Sequence, residues 1–252
     1  MTPIGHFMCA SAVAGSVDLL DEKETNLCFA YYGIFLIVFA MLTQFYAPGK
    51  WAMYVHDQAG NAALLFFLLY WGLKDGRRQL FVCLLIGGQV LSAYTHMFDV
   101  IFLHIAGYVP EGMWRPHNIM HTPLAGFLIP LAVLPLARLV FRRAGILGCY
   151  FMMTLGYFLH IFADTVTYDY QVYVFWPFSG WSFTLISVFQ RPDIISSAFL
   201  GNPLYIFEKS TAENVDGFIV YRAEVAVNIF LAALFYVKAI VKRVLAAGTK
   251  NG

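Results

Sequence analysis

Charged side chains are scarce in this sequence of 252 residues. Asp, Glu, Lys and Arg make up 12% of it, whereas 60% of the residues are hydrophobic and 17% are aromatic. A soluble domain carries roughly 25% charged residues, so this chain lacks the charges that a water-facing surface needs. Its net charge of +1 provides neither a basic surface for nucleic acid nor an acidic tail. The composition therefore predicts an integral membrane protein that does not bind nucleic acid.

Several catalytic and redox motifs are also absent. The sequence has no GxSxG elbow, Walker loop, HExxH or dinucleotide fingerprint, so serine-acyl, nucleotide-loop and nicotinamide chemistries have no support. The cysteines form no CxxC pair, and each lies in an apolar run. We expect free, buried thiols instead of disulfides. These cysteines are Cys9, Cys28, Cys83 and Cys149.

Long apolar runs are abundant. Crossing a membrane takes roughly 20 mostly apolar residues in a helix, and seven stretches are candidates, the first and third of them short. They are Ile4–Leu20, Leu27–Ala47, Gly60–Leu73, Gln79–Phe98, Thr122–Val140, Ala144–Asp164 and Phe218–Val241. The predicted fold is an all-α, multi-pass membrane helical bundle that forms a single domain over residues 1–252. Within it, Gly87-Gly88 predicts a close contact between helices, and the aromatic-rich segment 165–217, broken by Pro and Gly, predicts an interfacial segment.

The basic residues predict an orientation for these spans. Eleven of the sixteen Lys and Arg residues fall on one side of the predicted bundle, and cytoplasmic loops are enriched in both residues. We therefore expect a multi-pass protein of the inner (plasma) membrane, with these residues in the cytoplasm. Three clusters dominate: Lys74, Arg77 and Arg78; Arg138, Arg142 and Arg143; and Lys238, Lys242 and Arg243.

Histidine and aspartate residues gather at the opposite, non-cytoplasmic side of the predicted bundle. His6 starts the first span, and three pairs have helical spacing: His96 with Asp99, His117 with His121, and His160 with Asp164. Each pair projects from one face of a helix, and imidazole with carboxylate is a common ligand set for Zn²⁺ and similar ions. One such pair alone is equally typical of a salt bridge. A lone histidine in a membrane helix is typical of a hydrogen bond between helices. Three pairs on one side together favour a metal site.

Some of these residues lie in longer motifs. The opening Thr2-Pro3-Ile4-Gly5-His6, the segment Arg115–Leu124 and the run Leu155–Thr167, followed by Trp176-Pro177-Phe178-Ser179, resemble the YdjM-like inner-membrane family. That family is described as membrane-bound, metal-dependent hydrolases. The likeness covers roughly residues 1–20 and 90–185, and Gly156-Tyr157-x-x-His160-x-x-x-Asp164 is its most specific part. The chain also resembles zinc-dependent phospholipase C more weakly, through the helical His-x-x-x-Asp pattern alone.

The resemblance implies a ligand set of His6, His121, His160 and Asp164, and it marks residues 21–89 as spans that shorter family members lack. The sequence departs from the family at two elements. His96-Met97-Phe98-Asp99 replaces a Pro-Asp-x-Asp-His element, and the His-Arg-Gly-x-Thr-His element is shortened to the spacing of His117 and His121. At most one carboxylate of the first element is therefore kept.

Two functions remain open at this point. The first is a hydrolase whose divalent metal, expected to be Zn²⁺, activates water to cleave a phosphoester in a lipid or lipid-linked substrate. The alternative is a non-enzymatic membrane protein with a structural metal site or an ion or proton pathway. In the hydrolase, Asp99 would be the general base and His117 a second catalytic residue. The predicted metal ligands are His6, His96, His121, His160 and Asp164.

Overall fold

The computed structural model describes residues 3–45, 59–71, 74–92, 122–167, 172–173, 182–183 and 221–248. These residues form seven helices and one short strand pair, so the predicted all-α class is confirmed for the described part of the chain. The helices are α1 (Pro3–Ser16), α2 (Glu22–Phe45), α3 (59–66, with a π-helical turn at Phe67–Trp71), α4 (Gly76–Leu85, with a π-helical turn at Ile86–Leu91), α5 (Pro123–Val140), α6 (Ile146–Thr167) and α7 (Tyr221–Gly248).

Two helices of the described ranges are long and apolar enough to cross a membrane, over Pro123–Val140 and Ile146–Thr165. The apolar part of α1, Ile4–Ser16, is shorter. Each of the seven predicted spans contains a helix, but length and composition support membrane crossing for α5 and α6. The prediction of seven crossings is thus supported for two of the helices and stays a prediction for the others.

Side-chain caps fix where several helices begin. At the start of α2, the Glu24 N–H donates to Asp21 Oδ1 at 2.8 Å, and the Asp21 N–H donates to Glu24 Oε2 at 2.9 Å. Asp75 accepts from the Arg78 N–H at the start of α4. Thr122 accepts from the N–H three residues later at the start of α5. Each cap satisfies a backbone donor that the first turn of a helix leaves without a partner.

Charged residues concentrate at one end of the bundle, which we call the charged end. Helices α1 and α5 end there, and helices α2, α4 and α6 begin there. The C-terminal half of α7 lies at the same end. Glu24 accepts from Arg78 at 2.8 Å, Lys238 lies 3.1 Å from Asp18, and Arg143 contacts the start of α4. The hydrogen bond from Lys238 lowers the pKa of Asp18. The three basic clusters singled out in the sequence therefore share one end of the bundle.

The core surrounds α1, which packs against α2, α4, α6 and α7. The largest fully buried side chains lie on these helices or beside them, whereas α5 and α7 expose many large apolar side chains. Exposed apolar surface of that extent is typical of a lipid or protein contact. The buried set includes Ile4, Phe7, Phe81, Leu84, Met153 and Tyr157, and the exposed set includes Leu131, Leu136, Leu139, Ile229, Phe230, Ile240, Val244 and Leu245.

Glycine brings α4 and α6 into close contact. A Cβ at Gly87 would overlap the carbonyl of Met153, and a Cβ at Gly156 would overlap the carbonyl of Leu84. Because only glycine leaves room for this approach, the two backbones touch directly. The predicted close contact at Gly87-Gly88 is confirmed.

The strand pair lies in the predicted interfacial segment, 165–217. Val172 pairs with Phe183 and Tyr173 with Ser182 in antiparallel register. Residues 165–167 end α6. The rest of that segment lies outside the described residues. The cysteine prediction is confirmed, because all four thiols are free and buried.

Candidate metal centre

Two helices supply three polar side chains to one buried cluster. His6 lies in the first turn of α1, and His160 and Asp164 lie one turn apart near the end of α6. They are 5%, 5% and 4% exposed. These values matter because an ionisable group this deeply buried in an apolar bundle needs a partner or a metal ion.

The carboxylate of Asp164 lies between the two imidazoles. Its Oδ1 is 3.2 Å from His6 Nε2, and its Oδ2 is 3.2 Å from His160 Nε2. The two imidazole rings stack with centroids 3.8 Å apart and planes 14° from parallel. Asp164 thus joins both histidines, and the spacing of four residues along α6 explains the pair with His160.

The chemistry of this donor set fits a divalent ion. Two imidazole nitrogens and one carboxylate oxygen, all within 4.8 Å of one another, form a group that is able to hold a metal, and such N₂O sets are typical of Zn²⁺. Because an imidazole lone pair lies in the ring plane, the stacked rings must rotate for both nitrogens to point at one ion. Coordination would also draw the three ligand atoms closer together.

A small cavity adjoins the two histidines. Its volume is about 10 Å³, close to the space that one water molecule requires. Apart from the two imidazoles, the polar side chain in its wall is Gln89, from the π-helical turn of α4. The remaining wall is formed by Cys9, Ala10, Leu84, Leu85, Gly88, Gly156 and Leu159.

A buried asparagine anchors the start of α1. Asn228 on α7 donates to the carbonyl of Gly5 at 3.4 Å and lies 3.2 Å from the hydroxyl of Tyr32 on α2. Gly5 precedes His6, so this contact holds the backbone that carries the histidine. Neither Asn228 nor Gln89 was singled out from the sequence. The signal was available, since each is a polar residue within an apolar run.

The structure brings together three of the predicted site residues, namely His6, His160 and Asp164. The other four, His96, Asp99, His117 and His121, lie outside the described residues. Their predicted roles therefore stay predictions. The cluster confirms that distant parts of the chain converge on a possible metal site, whereas the identity of the metal remains an expectation.

Comparison with known proteins adds no relative. No protein-family model, no curated protein and no solved structure matches the chain. The resemblance to the YdjM-like family thus rests on its motifs alone, and the geometry of the cluster carries the functional argument.

Proposed function

We propose that this protein is a membrane-embedded, metal-dependent hydrolase whose metal ion is bound by His6, His160 and Asp164. The observation that carries the proposal is their convergence: residues about 150 positions apart in the chain meet in one buried cluster with a ligand set suited to Zn²⁺. Charged and polar groups inside a membrane bundle are costly, and a metal centre supplies a reason for three of them at one point.

His121 is the proposed fourth ligand. It directly precedes Thr122, which caps the start of α5. Ala125, one turn into that helix, packs in one cluster with Ile161, the neighbour of His160. The chain therefore enters α5 beside the part of α6 that carries the metal ligands, and this supports a contribution from the residue before the cap.

A metal ion at this position would lower the pKa of a bound water and polarise a phosphoryl or carbonyl oxygen. The sequence offers Asp99 as a general base and His117 as a second catalytic residue. His160 lies fourteen residues after the start of α6, about 21 Å along the helix axis. That distance is most of a hydrocarbon core, so a reaction there suits an amphiphile such as a phospholipid or lipid pyrophosphate.

The proposed location is the inner membrane, with the charged end in the cytoplasm and the metal ligands toward the other face. The basic clusters at the charged end support this orientation by the positive-inside rule. Membrane lipid would be both the surroundings of the protein and the source of its substrate.

Metal analysis tests the binding step. The detergent-purified protein should retain a stoichiometric divalent ion, and the double variant His160→Ala with Asp164→Ala should lose it. For catalysis, phospholipids and lipid pyrophosphates are incubated with Zn²⁺- or Mn²⁺-loaded protein. Release of phosphate or headgroup should disappear in Asp99→Asn and His121→Ala. Metal retained by the double variant would refute the assignment of the ligands.

One observation favours a structural metal or ion-pathway role instead. The three ligands are almost fully buried, and the cavity beside them holds about one water molecule. A structural site is closed by protein groups, whereas a catalytic site keeps a position for water or substrate. Metal-replete protein that is inactive across the whole panel and has four protein ligands would favour this second function.

A further inference from the structure

The cavity beside the histidines has a polar wall that the proposed ligand set does not explain. Gln89 is 4% exposed and lines this cavity together with His6 and His160. A carboxamide buried among leucine side chains is costly unless its polar atoms have partners. Gln89 therefore places a carboxamide at the same cavity as the two imidazoles.

The backbone around Gln89 is unusual. Residues Ile86–Leu91 form a π-helical turn, and Gly87, Gly88 and Gln89 are all buried. Such turns occur often at functional sites because the wider turn redirects side chains. Gly87 and Gly156 hold α4 directly against α6. The Gln89 backbone is thereby fixed relative to the helix that carries His160.

The size and polarity of the cavity indicate its occupant. Genuinely dry cavities in proteins are apolar, whereas a cavity with polar walls and room for one probe sphere suits an ordered water with two to four polar partners. About 10 Å³ is at the lower limit of that size. Two imidazoles and a carboxamide provide the partners.

We propose that Gln89 is a positioning residue that holds one water molecule in this cavity against His6 and His160. The role of this water as a reactant rests on the hydrolase function proposed above. A carboxamide suits the role because it offers both donors and an acceptor, and it competes for the ion less than a carboxylate would. In hydrolysis the oxygen of this water would bond to phosphorus, the P–O ester bond would break, and the alcohol would leave with one proton while the other goes to solvent.

The test replaces the carboxamide and uses Co²⁺ as a spectroscopic probe in the full-length protein in detergent. In the parent, ionisation of a metal-bound water should shift the visible Co²⁺ spectrum with pH. Gln89→Leu should still bind Co²⁺ stoichiometrically, and the midpoint of that shift should move upward because the amide N–H no longer stabilises hydroxide. An unchanged midpoint would overturn the proposal. So would a loss of Co²⁺ as complete as in His160→Ala, since Gln89 would then itself be a ligand.

Gln79→Leu is the matched control. Gln79 is equally buried and lies ten residues earlier on the same helix, where it accepts from the Arg143 N–H at the charged end. This variant should lose stability without moving the Co²⁺ midpoint. If Gln89→Leu does not fold, Gln89→Met removes the same amide from an unbranched side chain and gives the same measurement.

A second measurement works without metal. A high-resolution experimental structure of the metal-free protein should contain an ordered water within hydrogen-bond distance of the Gln89 carboxamide and at least one of the two imidazoles. If the parent binds no Co²⁺ but this water is present, the hydrolase proposal fails and the role of Gln89 stands. If the ion binds and the cavity is dry, the metal site stands and the role of Gln89 is refuted.

Discussion

Asparagine at position 164 distinguishes a metal centre from a buried ion pair. The substitution Asp164→Asn keeps the shape of the side chain and removes its negative charge. In the structure both carboxylate oxygens lie 3.2 Å from an imidazole nitrogen, and the residue is 4% exposed. The two interpretations predict opposite effects on the stability of the metal-free protein.

A metal ion coordinates neutral imidazoles. If both imidazoles stay neutral in the metal-free protein, the Asp164 carboxylate is a buried charge that neither histidine balances. Its desolvation costs several kcal/mol. Asparagine removes this cost, so metal-free Asp164→Asn should be at least as stable as the metal-free parent. If the cluster is instead an ion pair with a protonated histidine, loss of the carboxylate should cost about 3–5 kcal/mol whether or not metal is present.

The metal-bound protein should respond in the other direction. Structural Zn²⁺ sites bind with about 10–16 kcal/mol, so one ligand of four contributes about 3 kcal/mol, or roughly a hundredfold in affinity. At a free Zn²⁺ concentration of about 100 Kd, binding stabilises the parent by about 2.7 kcal/mol. The variant should lose most of that gain at the same concentration.

Thermal unfolding in detergent, with and without Zn²⁺ and chelator, measures all four states. The parent should unfold at a lower temperature in chelator than in Zn²⁺, and Asp164→Asn should show only a small difference between the two. Asp75→Asn is the control, because it makes the same change at the cap of α4. Asparagine caps a helix about as well as aspartate. A chelator-insensitive parent together with a strongly destabilised variant would refute the metal interpretation.

Three further predictions concern the bundle. Gly156→Ala should lower the free energy of unfolding by about 1–3 kcal/mol because its Cβ overlaps a carbonyl of α4, whereas Gly33→Ala, which has open space, should not; thermal unfolding of both variants checks this. Glu24→Gln should lower the free energy of unfolding by about 2 kcal/mol, because it removes the negative charge of a buried carboxylate that contacts both Arg77 and Arg78; denaturant titration would measure this loss. Cysteine placed at Glu111 should react with an impermeant maleimide added outside cells and cysteine at Arg142 should not, with the buried native thiols silent; the reverse pattern would invert the orientation.

The helical class and one half of the site could be predicted because both depend on local spacing. A backbone in lipid must satisfy its own hydrogen bonds, so apolar runs of sufficient length become helices. The separation of four residues between His160 and Asp164 likewise sets them on one helix face. Neither prediction needed knowledge of which helices are neighbours.

The other half depends on helix neighbours, which spacing does not encode. His6 was predicted as a ligand because it lies at the same end of the predicted bundle as the other histidines and belongs to a motif. The contact between His6 and Asp164, however, follows from the packing of α1 against α6. Gln89 and Asn228 were missed for the same reason. A single polar residue in an apolar run has no periodicity to assign it a face, and the π-helical turn that contains Gln89 changes the face further.

The placement of the ligands on α1 and α6 also sets a schedule for biosynthesis. At about 5–20 residues per second, the roughly 150 residues between His6 and His160 take roughly eight to thirty seconds to translate. During that interval α1, fourteen residues long, carries an imidazole whose carboxylate partner has not yet left the ribosome. A metal ion bound by all three ligands would therefore enter late, after α6 has been synthesised, and it would stabilise only chains that extend beyond Asp164.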